Sequence, residues 1–303
     1  MKIKIATRQS ELALFQANYV AEKLNQLEGV TTELIPLLSE GDQTNKPLHE
    51  IGGKGLFVNK LESALISGDA DIAVHSLKDV PALLDSKFEI ASIFQRESAS
   101  DILLSKEGWS LDTLPINSVI GTSSPRRKSQ ILNLRPDLNT IPVRGNIATR
   151  VKKLNDGAFD ALIVAKAALN RLNLNFTNTY EFSLEEMLPA ASQGFIGVEC
   201  IKSNTKIHNI LKQINNDTAY LLAEAERAFV AKLNGSCLSP IAIYCFEEKE
   251  VVHIIAKVLS QDGQKKLYKR IKSSKSELKE DISTLANEFL SRGSNAIIQS
   301  YDN

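Results

Sequence analysis

Ser118-Val119-Ile120-Gly121-Thr122-Ser123-Ser124-Pro125-Arg126-Arg127 reads as a short apolar strand that turns into a helix, and this grammar decides the fold class. Ser124 is a good N-cap, and Pro125 suits the first helical position, where its missing N–H is no loss. Arg126 and Arg127 then fall in the first helical turn. The helix dipole disfavours cations there unless an anion lies between them and the free N–H groups. The pattern recurs where the apolar run from Leu138 to Val143 leads into Arg144-Gly145-Asn146-Ile147-Ala148-Thr149-Arg150. Two cation-loaded turns so close together predict a site for several carboxylates or phosphates; the blander reading is a solvated Lys/Arg helix face.

Outward from this stretch the same alternation continues. Lys2 to Ala6 reads as a strand, Ser10 to Glu28 as a helix closed by Gly29, and Val30 to Leu38 as a strand. Leu56 to Ser67 reads as a helix stopped by Gly68, followed by strands at Asp71 to His75 and Phe88 to Phe94. After Ile102 come strands near Val119, Ile141 and Ala161 to Val164, each followed by a helix. Strands alternating with helices imply a mostly parallel sheet covered on both faces, and two such halves predict two domains facing a cleft. Ligands of open parallel sheets bind beyond the carboxyl ends of the strands. Arg8, His75, Lys78, Asp79, Thr122 to Arg127 and Arg144 all fall at such ends. The last ninety or so residues differ: a helix from Asp217 to Leu233, strands at Ile241 to Phe246, Val251 to Leu259 and near Leu267 to Ile271, and a helix from Ser276 to Ser291. Gln261-Asp262-Gly263 is a hairpin signal between two of these strands, so the segment reads as a small α+β domain.

Composition excludes several classes. The 303 residues carry 36 basic and 36 acidic side chains, so the arginines are a local concentration and not part of a basic surface. Nucleic-acid-binding domains usually carry a basic excess, which argues against such a partner. No apolar run approaches the ~20 residues of a membrane-spanning helix, and the N-terminus lacks a signal-peptide core. Three scattered cysteines make no disulfide framework. A cytoplasmic protein without a membrane partner is expected.

Several residues are candidates for chemistry. Asp79, in His75-Ser76-Leu77-Lys78-Asp79-Val80-Pro81, lies beside a lysine and should stay ionised. It either steadies a developing cation or exchanges a proton with a bound nitrogen, or else only caps the next turn. His75 reads as a satisfied strand-end histidine, and His49, His208 and His253 lack ligand spacing, so no metal site is expected. Cys200 and Cys245 sit in apolar strands and read as core residues. Cys237, in Asn234-Gly235-Ser236-Cys237-Leu238-Ser239-Pro240, sits on a loop, as either a covalent attachment point or an inert thiol. Gly52-Gly53-Lys54-Gly55 lacks the full spacing of a phosphate loop and reads instead as a lid with Lys54 reaching inward.

Together these segments resemble the porphobilinogen deaminase (hydroxymethylbilane synthase) family nearly end to end. The resemblance rests on Ala6-Thr7-Arg8-Gln9-Ser10, Gly52 to Phe57, His75 to Pro81, Gly121 to Ser124, Arg126-Arg127, Arg144-Gly145-Asn146, Thr149-Arg150, Gln193-Gly194 and Cys237. It implies an α/β fold of two type II periplasmic-binding-protein-like domains plus a small C-terminal α+β domain. The expected division is 1–95 with 195–214, 96–194, and 215–303. It further implies a dipyrromethane cofactor held by a thioether on Cys237, and head-to-tail condensation of four porphobilinogen molecules with release of ammonia by a cytoplasmic monomer. By family position Arg8, Lys78, Arg126, Arg127, Arg144, Arg150 and Arg171 would contact carboxylates, with Ser10, Thr122, Ser123, Ser124 and Gln193 adding hydrogen bonds. Asp79 would hold pyrrole N–H groups and stabilise positive charge. Arginine suits this work because its planar fork binds carboxylates bidentately and stays charged. Pro125, Ser192, Phe195 and Ser236 depart from the family's usual residues, and Phe195 is expected to narrow the cleft. The competing reading is a non-catalytic small-anion-binding module with a similar cleft, which would need neither Cys237 nor an adduct.

Overall fold

The structure, a computed structural model, describes residues 1–38, 58–236 and 238–299. Two compact units divide the chain, residues 1–97 with 194–223 and residues 98–193 with 224–303.

The first unit begins β1 (Lys2–Arg8), α1 (Glu11–Asn25), β2 (Thr31–Leu37), α2 (Asn59–Ser67), β3 (Ile72–Ser76), β4 (Phe88–Ile93). The Ser10 hydroxyl caps α1 by accepting from the Ala13 N–H, and Gly68, at φ 77°, ends α2 in the left-handed conformation that favours glycine. Ile3, Ile5, Val20, Leu24, Ile72 and Val74 join one buried cluster between α1 and the sheet.

The second unit opens with β5 (Asp101–Ser105), then β6 (Val119–Gly121), α3 (Pro125–Leu134), β7 (Asn139–Ile141), α4 (Ile147–Asn155), β8 (Ala161–Ala165), α5 (Lys166–Arg171) and β9 (Thr179–Glu181). The chain then returns to the first unit as β10 (Ile196–Ile201) and α6 (Thr205–Lys212). β10 lies between β3 and β4 and runs antiparallel to both, giving the strand order β2-β1-β3-β10-β4. The second sheet, β7-β6-β8-β5-β9, repeats the arrangement, with β5 antiparallel to β8 and β9. Each sheet is therefore mostly parallel, as the alternation of elements predicts, with one strand running against the rest.

The remaining elements are α7 (Asp217–Lys232), β11 (Ile241–Glu248), β12 (Val251–Leu259), β13 (Lys266–Ser273), α8 (Leu278–Ser291) and α9 (Ser294–Gln299). Strands β11 to β13 form an antiparallel sheet. The sequence reads this segment as a third domain; in the structure its residues from Glu224 onward fall in one unit with the second sheet. Leu188 packs with Ala242 and Ile255, and Asn133 of α3 donates to the Gly263 carbonyl at 2.7 Å. A Cβ on Gly263 would stand 2.5 Å from the Asn133 nitrogen, so the β12–β13 turn meets α3 only as glycine.

Behind β3 in the first unit lies a buried polar cluster. His75 Nε2 is 2.8 Å from Glu199 Oε2, and both residues are shielded from solvent. His75 is thus a satisfied strand-end histidine, as its position suggests. Burial, together with the nearby charge of the Glu199 carboxylate, pushes the pKa of Glu62 on α2 up to about 7. Between about 4.5 and 7 the native state holds a proton that the unfolded chain has released, so stability falls as pH rises across that window. Thermal midpoints of the unmodified protein, compared with those of Glu62→Gln, should lose ground as pH rises from 5 to 7 and then level off. Parallel curves would refute this account.

Candidate functional site

Helix α3 starts as the sequence dictates, with the Ser124 hydroxyl accepting from the Arg127 N–H and Pro125 in the first turn. The arginines do not project outward. Arg126 and Arg127 are 4% and 7% exposed, and both close on Asp101, which is fully buried at the start of β5. Arg127 donates to Asp101 Oδ1 through Nε and Nη2, at 3.2 and 2.7 Å, and to the Ile163 carbonyl through Nη1 at 2.9 Å. Arg126 reaches Asp101 Oδ2 at 2.8 Å and the Leu188 carbonyl at 2.7 Å. The anion that two cations in a first turn require is thus supplied within the chain. Both guanidinium groups, expected to contact ligand carboxylates, are paired with a carboxylate of the chain itself. One donor stays open: Arg126 Nε is buried without a hydrogen-bond partner among the described residues.

The other candidates of this unit gather at the carboxyl ends of β6, β7 and β8. Thr122 is buried, and its hydroxyl accepts from the Ser124 N–H; Ser123 bridges to Val143, donating to its carbonyl at 2.8 Å and accepting from its N–H at 2.9 Å. Arg144, on the turn into α4, and Arg150, within α4, are half-buried; the helix N-cap is Asn146. Gly145 there adopts φ 110°, and Arg150 Nε donates to its carbonyl at 2.7 Å. Arg171 closes α5 and is half-buried. Gln193 is buried, donating to the Ala99 carbonyl at 2.6 Å and to Asp101 Oδ1 at 3.0 Å, which makes it part of the Asp101 cluster. Its neighbour Ser192 takes φ 62°, its N–H donating to Glu226 at 2.6 Å.

In the first unit, Arg8 ends β1, Ser10 caps α1, and Lys78 and Asp79 occupy a single 3-10 turn (Leu77–Asp79) after β3. Because β1 and β3 are parallel neighbours, these residues leave the sheet at the same edge. Asp79 is exposed and Lys78 half-buried. The turn is anchored around them: Ser76 and Gln16 exchange hydrogen bonds at 2.8 and 3.0 Å, and the Leu77 N–H donates to the Phe195 carbonyl at 3.1 Å. Phe195 corrects another expectation. It is buried, its ring lies 3.9 Å from the Arg96 guanidinium carbon, and it supports this turn from within the unit.

Cys237 and Lys54, read as attachment point and lid residue, lie outside the described residues. Beside Cys237, the Ser239 hydroxyl accepts from the Ser236 N–H at 2.9 Å and the Ser236 hydroxyl from the Leu238 N–H at 3.2 Å. Among the described residues no group of three metal-ligating side chains exists and no helix is long and apolar enough to cross a membrane. Sequence reasoning missed Asp101, whose signal is an acid opening the apolar run Ile102-Leu103-Leu104 in a chain of zero net charge. Gln130 and Lys257 offered no such signal.

Comparison with known proteins places the chain in a family. Residues 3–209 match the family model described as "Porphobilinogen deaminase, dipyromethane cofactor binding domain", and residues 220–291 match that of the porphobilinogen deaminase C-terminal domain. A protein named porphobilinogen deaminase from Campylobacter hominis is 42% identical over 295 residues, covering 96% of each chain. Proteins of the same name from Campylobacter curvus and Caldicellulosiruptor saccharolyticus are 40% and 39% identical, over 99% and 95% of this chain and 97% of each of theirs. Among solved structures, the periplasmic VFT2 domain of Bordetella pertussis BvgS is 16% identical with a TM-score of 0.45, over 75% of this chain and 90% of that chain. The matches define a class first: a mixed α/β protein with a dipyrromethane-binding part and a small C-terminal domain. The chain belongs to the porphobilinogen deaminase family, whose members are hydroxymethylbilane synthases.

Since Asp101 is the carboxylate on which both guanidinium groups close, Asp101→Asn should leave uncompensated buried charge. It should cost about 3–5 kcal/mol of unfolding free energy. Denaturant melts of the purified variant check this; a loss below 1 kcal/mol would show that the cluster does not hold the unit together.

Proposed function

We propose that this chain performs its family's condensation of four porphobilinogen molecules with the residues just described, Asp79 acting on the substrate and Cys237 anchoring the dipyrromethane. The observation that carries the reading is the buried, open Nε of Arg126 in a cluster that already holds more cations than carboxylates. An acid side group is the ligand such a site lacks, and porphobilinogen and its dipyrromethane carry acetate and propionate groups. A charge-assisted hydrogen bond is worth roughly 1.5–3 kcal/mol, so a few suffice to hold a polyanion in place. The donor set fits that cofactor: Arg126, Arg144, Arg150 and Arg171 for its carboxylates, with Thr122, Ser123 and Ser124 beside them. When bound, the cofactor supplies the nucleophilic pyrrole that primes the chain. Arg127 and Gln193 act behind these by holding Asp101, and so Arg126, in place.

Asp79 and Lys78 divide the work of the first unit. Lys78, with Arg8 and Ser10, orients substrate acid groups. The exposed Asp79 carboxylate, on a turn pinned by Gln16, Ser76 and Phe195, meets the positive charge that develops on the substrate as ammonia leaves, and accepts from the pyrrole N–H. Fixed charge aimed at developing charge is an effective form of stabilisation because it needs no reorganisation during the reaction. Lys54 serves as the lid cation. The family resemblance supports a monomer acting in the cytoplasm, and a three-domain division in which 215–303 carries the anchoring cysteine.

Two measurements test these roles. Purified protein should exceed its sequence mass by one dipyrromethane and Cys237→Ser should not; an unmodified mass in active protein would refute the anchor. Asp79→Asn should keep the added mass while lowering kcat by roughly 10²–10³-fold, read as ammonia release. Undiminished turnover would remove Asp79 from the chemistry.

A further inference from the structure

Lys257 is a lysine in the middle of strand β12, between Ala256 and Val258, and it is only 6% exposed. Its Nζ donates to Gln130 Oε1 at 3.0 Å and to the Glu185 carbonyl at 3.2 Å. Gln130 is the hub of the surrounding network. Its Oε1 also accepts from the Leu188 N–H at 2.9 Å, and its Nε2 donates to the Leu188 carbonyl at 2.9 Å. That same carbonyl accepts from Arg126 Nη1 at 2.7 Å. An ammonium only donates, so Lys257 reinforces at Gln130 Oε1 the amide orientation that the Leu188 N–H and carbonyl also require, and the Leu188 carbonyl in turn accepts from Arg126. The chain Lys257–Gln130–Leu188–Arg126–Asp101–Arg127 thus holds three cations and one carboxylate, all shielded from solvent.

We propose that Lys257 is a positioning residue for the acid group received at Arg126: it locks that guanidinium in place through Gln130 and Leu188, and adds a third buried positive charge to its field. The proposal rests on the reading that Arg126 receives an acid group, whether from porphobilinogen or from the dipyrromethane. A buried ammonium offset only by Glu185 costs stability, since a methionine of similar length would fill the space at lower cost; a functional reason accounts for it. The charges bearing on Lys257 are Lys266 of β13 and Arg126 of α3, which disfavour its protonated form, and Glu185, which favours it. With burial as the largest cause, they push its pKa down to about 8. Arrival of a carboxylate at Arg126 relieves that repulsion, so acid-group binding and protonation of Lys257 reinforce each other by linkage.

The test uses full-length holoenzyme of three variants: Lys257→Met, Lys257→Gln as an uncharged donor, and Arg126→Gln as a control on the reading itself. If the acid group belongs to porphobilinogen, both Lys257 variants should raise its KM about fivefold or more at pH 7 with kcat little changed. If it belongs to the dipyrromethane, the fraction of protein carrying that added mass should fall instead. In the unmodified enzyme the affected quantity should worsen as pH passes upward through 8, and that dependence should vanish in Lys257→Met. Thermal midpoints at pH 7 should be equal or higher in Lys257→Met, which a merely structural role would not give. Wild-type KM and added mass in both Lys257 variants, a flat profile from pH 7 to 9 in the unmodified enzyme, or a lowered midpoint alongside the raised KM would each overturn the proposal. An Arg126→Gln variant with unchanged KM and mass would instead overturn the reading beneath it.

Discussion

One carboxylate, that of Asp101, organises the second unit. With no solvent access it neutralises two guanidinium groups from the first turn of α3, and through Gln193 it ties the segment that leads into β10. Burying ions is expensive unless the geometry is good and the remaining donors are satisfied. Here the Ile163 and Leu188 carbonyls take the other donors, leaving Arg126 Nε. The helix dipole, which should repel these arginines, is outweighed because the counter-charge lies within hydrogen-bond distance while the dipole acts as a fraction of a charge. Side chains paired in this way are ordered by internal partners, and preorganisation limits the ordering cost of any binding.

Local signals in the sequence carried far. Ser124 and Pro125 define the start of α3, Gly68 ends α2, and Asp262-Gly263 turns the C-terminal hairpin, each through backbone chemistry confined to a few residues. His75, Cys200 and Cys245 are buried as their apolar surroundings indicate. The long-range pairings were not legible. Asp101 and Arg127 are separated by 26 positions, Gln130 and Lys257 by 127, and no periodicity relates them. The strand around Cys200 was legible, but its place between β3 and β4 was not: Phe195 to Ile201 is apolar except at Glu199, a near-continuity that does not say which strands it joins. In β12 the same continuity masked Lys257, a cation amid residues buried on both faces.

The first unit shows a complementary logic. The turn after β3 is exposed at Asp79, yet its supports are internal: Gln16 against Ser76, the Phe195 carbonyl on Leu77, and Glu199 on His75. The carboxylate keeps its contact with solvent, whereas the backbone that carries it is held from within the unit. Exposure of the Asp79 carboxylate and burial of its mountings are compatible because the 3-10 turn is short, ending within three residues.

The placement of β10 also bears on how the polypeptide is made. Strands β3 and β4 have no direct partner in each other, and the strand that joins them is synthesised about a hundred residues later. At about 5–20 residues per second, the nascent sheet waits roughly five to twenty seconds with two open edges, a state prone to mispairing with other chains. Translation of the intervening domain sets that interval, so a pause inside it would prolong the vulnerable window, and a chaperone acting on this protein would be most useful before the Phe195-to-Ile201 run has left the ribosome.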